Sequence, residues 1–265
     1  MAPSPWTGEG WGEGDVIENY VKIIGSYLSP YVRKVLAVLH LKNIPYQIDP
    51  IIPFMGNDNF SKLSPLRRVP VLIDDSVTLS DSSIICQYLE DRYPHPALYP
   101  QDIAHRAKAR WFEEYADTRL GDVLIWQLYN QVMINPYVWG KPTDEATLQK
   151  TLSEEIPQIL DYLETQIPSS GFLFNDLSIA DISIASFFRN AEFTRFKVDN
   201  IRWPNVAAFV QKVLGLECFE TLLPYEKKSL RTPIPHHREA LAAMGAPLTQ
   251  ETYATSSPRP GILRI

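Results

Sequence analysis

The chain has 265 residues, 45% hydrophobic and 21% charged, a balance that describes an ordinary globular protein with room for one or two domains. Its formal net charge of -6 argues against a nucleic-acid partner, which demands a basic face. No apolar run approaches the ~20 residues that span a bilayer, so no membrane partner is expected.

In chain order, residues 1–19 carry Gly, Pro, Trp and acidic side chains, with neither a positive n-region nor an apolar h-region. They read as a disordered extension or an overlong start rather than a secretory signal, and a cytoplasmic protein is expected. The run Tyr20-Val21-Lys22-Ile23-Ile24 reads as a strand. Val32, Val35, Leu36 and Leu39 then set a helical period over about 30–42, closed by Asn43 and Pro45. Residues 46–52 alternate weakly as a second strand, and the loop from Pro53 to Pro65 is expected to hold one short helix. Val69 to Ile73 and Ser76 to Leu79 form a hairpin across the polar Asp74-Asp75-Ser76 turn. Ser82 starts a helix with Ile84, Ile85, Tyr88 and Leu89 on one face. Residues 20–94 thus make a small mixed α/β domain.

Pro94, Pro96 and Pro100 mark a linker at 95–102. From 103 to 228 the period is helical almost throughout. Trp111, Phe112, Tyr115, Ala116, Arg119, Leu120, Val123 and Leu124 recur at three- and four-residue spacing, as in a long partly buried helix. Further helices are expected around 145–166, 178–191, 204–214 and 216–228. From 229 to 265 the chain turns Pro-rich and loses its period; this tail is expected to be mostly irregular and laid over the helical domain. Cys86 and Cys218 lie far apart in apolar helical surroundings without metal-type spacing. They read as buried free thiols of a reducing compartment, with a disulfide between them left open.

Three stretches of the first domain carry chemistry. Ser29-Pro30 puts a hydroxyl at a strand–turn–helix tip. As a lone pair it is an ordinary N-cap with Pro at the first helical position, but the same helix N-terminus attracts negative charge, a thiolate included. At Val69-Pro70, a cis peptide would turn the Val69 N–H and C=O outward, where an extended peptide ligand pairs with them; a trans proline at a strand start is the plain alternative. Leu79-Ser80-Asp81-Ser82 opens another helix. Asp81 can take an ammonium group, and Ser82 with its backbone N–H groups a carboxylate, or the stretch simply caps the helix. A thiolate site, a peptide-edge site and an α-amino/carboxylate site describe the three ends of glutathione.

At these stretches the sequence resembles the cytosolic glutathione transferase superfamily, in particular its serine-type bacterial members. The matching runs are Ser-Pro-Tyr-Val-Arg-Lys-Val at 29–35, Arg-Arg-Val-Pro-Val-Leu at 67–72, Leu-Ser-Asp-Ser-Ser-Ile-Ile-Cys-Gln-Tyr-Leu-Glu at 79–90 and Leu-Ser-Ile-Ala-Asp-Ile at 177–182. The resemblance covers roughly residues 20–228. It implies a thioredoxin-like N-terminal domain, an all-helical C-terminal domain, glutathione as co-substrate, an electrophilic or peroxide second substrate, a detoxification role and a homodimer. It implies that Ser29 hydrogen-bonds the glutathione sulfur and stabilises the thiolate, with Tyr27 on the same loop as its rival. Val69 would bind the cysteinyl backbone, Asp81 and Ser82 the γ-glutamyl end, and Arg68 the glycyl carboxylate.

Members that reduce disulfides or dehydroascorbate carry Cys at the position of Ser29, so that chemistry is not expected. The isomerase class carries Ser-Ser-Cys where this chain has Ser26-Tyr27-Leu28-Ser29, although Arg33 is compatible with it. Trp111 and Tyr115, with Trp126 and Tyr129, are candidates for a hydrophobic acceptor site, against plain helix packing. The Ser178–Asp181 box belongs to folding, at ~1 kcal/mol per lost cap. His236-His237 reads as a solvated pair, no metal site is expected, and Arg33-Lys34 is expected to face solvent or a dimer partner. The alternative to an enzyme is a non-catalytic transferase-fold protein used as a binding or regulatory module.

Overall fold

In the computed structural model, residues 21–259 are described; the extension at 1–19 lies outside them, as do Tyr20 and residues 260–265. Alternation and turn chemistry build β1 (Val21–Ile24), α1 (Pro30–Leu41), β2 (Tyr46–Asp49), α2 (Asp58–Leu63), β3 (Val71–Ile73), β4 (Thr78–Ser80) and α3 (Ser82–Arg92). The sheet order is β2-β1-β3-β4, with β2 parallel to β1 and the β3–β4 hairpin antiparallel. Val32, Val35, Leu36 and Leu39 of α1 are buried together with Ile23, Ile48, Val71 and Leu72 of the sheet, and with Ile85 and Leu89 of α3. This is a thioredoxin-like domain. Its third strand starts at Val71, two residues later than the apolar run, because Pro70 has no N–H to give the ladder. The 53–65 loop holds a short turn of 3-10 helix at Pro53–Met55 in addition to α2.

The rest is helical. A long helix begins as α4 (Ile103–Tyr115), widens to i→i+5 turns over Ala116–Ile134 and ends as α5 (Asn135–Val138). Next come α6 (Glu145–Lys150), a second wide stretch Thr151–Glu155 and α7 (Ile156–Gln166), so residues 145–166 wind continuously. The hub is α8 (Ile179–Phe193), buried from Ile179 to Ala191 and packed on α1, α4 and α9 (Pro204–Leu214). It is buried on every side, and its enclosed polar side chains, Arg189 and Asn190 among them, are held by hydrogen bonds. Its start is fixed by Asp181, whose carboxylate accepts from Ser178 N at 2.8 Å, Ser178 Oγ at 2.7 Å and Leu173 N at 2.9 Å. Short helices α10 (Glu217–Glu220) and α11 (Leu223–Leu230) close the domain. Cys86 and Cys218 are both free and buried. Among the described residues no helix is long and apolar enough to cross a membrane.

The tail departs from expectation. It contains α12 (His237–Ala242), and then, instead of lying over the helices, it returns to the thioredoxin-like domain. There Ile48 N donates to Pro247 O at 2.7 Å and Thr249 N to Ile48 O at 3.1 Å. The reason is that β2 is an edge strand, whose outer N–H and C=O groups need partners. His237 is likewise buried rather than solvated, its Nε2 lying 2.9 Å from Thr232 O.

Candidate active site

Register places the three candidate stretches together. Ile24 at the end of β1 pairs with Val71 at the start of β3, and Val71 pairs with Ser80 at the end of β4. The turns carrying Ser29, Val69 and Asp81 therefore leave one end of the sheet side by side. Strands lie about 4.8 Å apart, so the row spans ~10 Å, about the reach of an extended tripeptide.

The first turn depends on Gly25. Its φ is +150°, and a Cβ there would sit 2.4 Å from Val32 Cγ2 and 3.1 Å from Val69 Cβ. Only glycine lets β1 pass so close to both, which brings the Ser29 turn against the Val69 loop. Ser29 is half-buried and caps α1, its Oγ accepting from Val32 N at a long 3.4 Å. As a lone weak acceptor contact this leaves the hydroxyl proton free to point elsewhere. Pro30 has no N–H, and those of Val32 and Arg33 are taken by Ser29, so the positive potential at this place comes from the α1 dipole and the Tyr31 N–H.

The Val69–Pro70 peptide is cis. Among the described residues no backbone or side-chain partner takes the Val69 N–H or C=O. Arg68 is exposed, and its backbone is held by Ser64, whose Oγ donates to Arg68 O and accepts from Arg68 N, both at 2.9 Å. The preceding Arg67 turns the other way: it is buried and reaches Ser61 Oγ and, at 2.9 Å, Gly56 O. On the third turn Asp81 is exposed, with φ +97°, and accepts from Ser83 N at 3.0 Å and Ile84 N at 3.2 Å. Ser82 is 3% exposed beside it.

Arg33 and Lys34, expected at the surface, are both 0% exposed. Arg33 pairs with Glu226 and donates to Ser186 O at 2.6 Å, Asn190 Oδ1 at 2.7 Å and Tyr27 O at 3.4 Å. Asn190 Nδ2 in turn donates to Leu28 O at 2.9 Å. The carbonyls just before Ser29 are thus held by Asn190 of α8 and by Arg33 of α1, which is itself anchored on α8 and α11. Lys34 Nζ lies 2.7 Å from Asp117 Oδ2, 3.1 Å from Glu113 Oε1 and 3.1 Å from Ser83 Oγ, which itself donates to Asp117 at 2.8 Å. Burial works against the ammonium, but Asp117 and Glu113 overrule it and hold the lysine charged, well above its ordinary range. The cluster ties the first turn of α3, next to Asp81 and Ser82, to the long helix. These partners lie far away in sequence, and nothing in the local pattern signals them.

Tyr27 goes into the core. It is 1% exposed and stacks on Tyr225 at 5.0 Å and 27°, and burial pushes its phenol far above the ordinary range. Tyr31, not singled out by its sequence context, donates to Asp117 O at 3.0 Å and meets Phe187 edge-on at 5.2 Å. Trp111 and Tyr115 are not brought to this set. Glu113 and Asp117 face α1, and at 100° per residue Trp111 and Tyr115 point the opposite way. There they pack with Tyr162, whose hydroxyl is 3.3 Å from Trp111 Nε1. An aromatic contact that does cross between domains is Phe54 on Trp139, at 5.2 Å.

Two family profiles match: glutathione S-transferase, N-terminal domain, over residues 23–97, and glutathione S-transferase, C-terminal domain, over residues 125–217. The chain is 32% identical over 180 residues to glutathione S-transferase U8 of Arabidopsis thaliana, covering 64% of this chain and 71% of that protein. It is 29% identical over 196 residues to maleylacetoacetate isomerase of Rattus norvegicus, covering 72% of this chain and 86% of that protein. A solved glutathione S-transferase from Rhodospirillum rubrum F11 superposes with a TM-score of 0.73 at 24% identity, over 83% of this chain and 99% of that one. Poplar glutathione transferase F1 gives 0.67 at 26% identity, over 78% and 98%.

Proposed function

As the chain belongs to the glutathione S-transferase superfamily, we propose that it binds glutathione across the Ser29, Val69 and Asp81 turns and uses its thiolate against an electrophilic carbon. The observation that carries this reading is the shared rung Ile24–Val71–Ser80, which aligns the three turns over one tripeptide's length. Ser29 accepts from Val32 N and donates its own proton to the sulfur; together with the α1 N-terminus it lowers the thiol pKa without acting as a base. Val69 offers its N–H and C=O to the cysteinyl backbone, Asp81 and Ser82 hold the γ-glutamyl end, and the exposed Arg68 takes the glycyl carboxylate. Attack forms a carbon–sulfur bond and expels the leaving group; the protein contributes orientation and a poised nucleophile.

Ser29 is favoured over Tyr27 because the tyrosine is enclosed and its burial disfavours ionisation. Conjugation is favoured over the isomerisation named for the rat relative, because Arg33 is 0% exposed and committed to Glu226, Ser186, Asn190 and Tyr27, out of a substrate's reach. A homodimer belongs to the same reading and is checked by light scattering. The functional test is retention on immobilised glutathione followed by turnover of chlorodinitrobenzene and of an organic peroxide. Failure to bind at millimolar glutathione sinks the reading; binding without turnover of either substrate favours the non-catalytic module.

A further inference from the structure

We infer that the segment 246–259 is a strap that holds the glutathione site in register from outside, with Asp49 as its latch and a positioning residue for glutathione binding. The inference rests on the glutathione reading above. Asp49 ends β2 and is 1% exposed. Among the described residues every donor to its carboxylate comes from the tail region: Tyr253 N at 2.7 Å, Thr252 Oγ1 at 2.8 Å and Arg238 Nη1 at 3.1 Å. Its main-chain carbonyl faces the other way and accepts from Gly25 N at 2.9 Å, the residue from which the Ser29 turn departs. Carboxylate and carbonyl of one residue thus join the strap to the thiol end of the site.

A second connection reaches the loop before Val69. The strap pairs with residues 54–57 through Thr255 N to Met55 O at 2.7 Å, Asn57 N to Tyr253 O at 2.8 Å and Arg259 N to Phe54 O at 2.6 Å, and the Arg259 side chain pairs with Asp58. On its inner side the same segment is gripped by Arg67, which reaches Gly56 O at 2.9 Å and immediately precedes Arg68 and Val69. Residues 54–57 are therefore held between the strap and the loop assigned to the cysteinyl and glycyl parts of glutathione. The strand pairing of Ile48 with Pro247 and Thr249 zips the assembly to β2. A loop correctly placed only a tenth of the time raises the apparent Kd about tenfold, which sets the expected size.

The test uses full-length variants. Thr249→Pro removes the N–H that bonds Ile48 O, and Arg238→Met removes a donor to Asp49, with Arg238→Lys as the conservative rescue. The expected result is wild-type binding of glutathione, with both disruptive variants raising glutathione Kd and KM about tenfold. kcat at saturating glutathione and the electrophile KM stay unchanged, amide exchange quickens at Gly25 and residues 54–57, and Arg238→Lys restores most of the affinity. Unchanged glutathione affinity in a variant whose strap amides exchange freely overturns the inference. If wild type itself does not bind glutathione, the functional reading fails separately; exchange then decides alone, and a released strap with Gly25 still protected overturns the bracing.

Discussion

Replacing Lys34 with Met tests the buried electrostatics that join the two domains. The ammonium is 0% exposed, while the Glu113 and Asp117 side chains are 2% and 14% exposed. The substitution leaves two carboxylates facing each other with no counter-ion, and Ser83 with one fewer partner. Breaking a buried pair from one side costs about 3–5 kcal/mol. For a protein of this size that lowers Tm by roughly 6–20 °C. Urea unfolding followed by circular dichroism, read as a shift in midpoint at constant slope, measures it. The triple variant Lys34→Met, Glu113→Gln, Asp117→Asn should recover most of the loss, because it removes the stranded charges as well. A single variant within ~1 kcal/mol of wild type, or a triple variant less stable than the single one, would refute the reasoning.

Asp181→Ala should cost about 3 kcal/mol, more than an ordinary cap, because it strands the N–H groups of Ser178 and Leu173 as well as the Ser178 hydroxyl; the same urea titration checks it. Burial holds the His237 imidazole below its ordinary 6.5, so the unfolded chain binds more protons between the folded value and about 6.5. Stability should therefore rise with pH across that window and be lost as pH falls through it, and His237→Gln should flatten this part of the curve. Burial raises the Cys86 thiol far above its usual range and the Cys218 thiol to about 11. At about pH 8 neither should react with a thiol reagent in the native protein, and both should react once it is unfolded.

Most elements were legible in sequence because their signals are local. The 3.6-residue period of Val32, Val35, Leu36 and Leu39 marks α1, and residues 204–214 coincide with α9. The roles of Arg33 and Lys34 were not legible, since a charged pair reads as surface until Glu226, Asn190, Glu113 and Asp117 arrive from distant helices. Helical phase relative to a partner is equally hidden: periodicity puts Trp111 and Tyr115 on one stripe, but only packing tells which neighbour that stripe meets. The tail lost its period because it is held by backbone pairing to β2 and by the Asp49 carboxylate, and neither leaves a mark on hydrophobic spacing.

The most direct measurement of the central claim is the pKa of the bound glutathione thiol, followed by ultraviolet thiolate absorbance in wild type and in Ser29→Ala. A free thiol titrates near 8.5, and the Ser29 hydroxyl with the α1 N-terminus should bring the bound one down by about one to two units. Ser29→Ala should return it most of the way, with glutathione Kd little changed and kcat/KM reduced roughly ten- to a hundredfold. An unshifted thiol in wild type, or an equally lowered one in Ser29→Ala, would contradict the account.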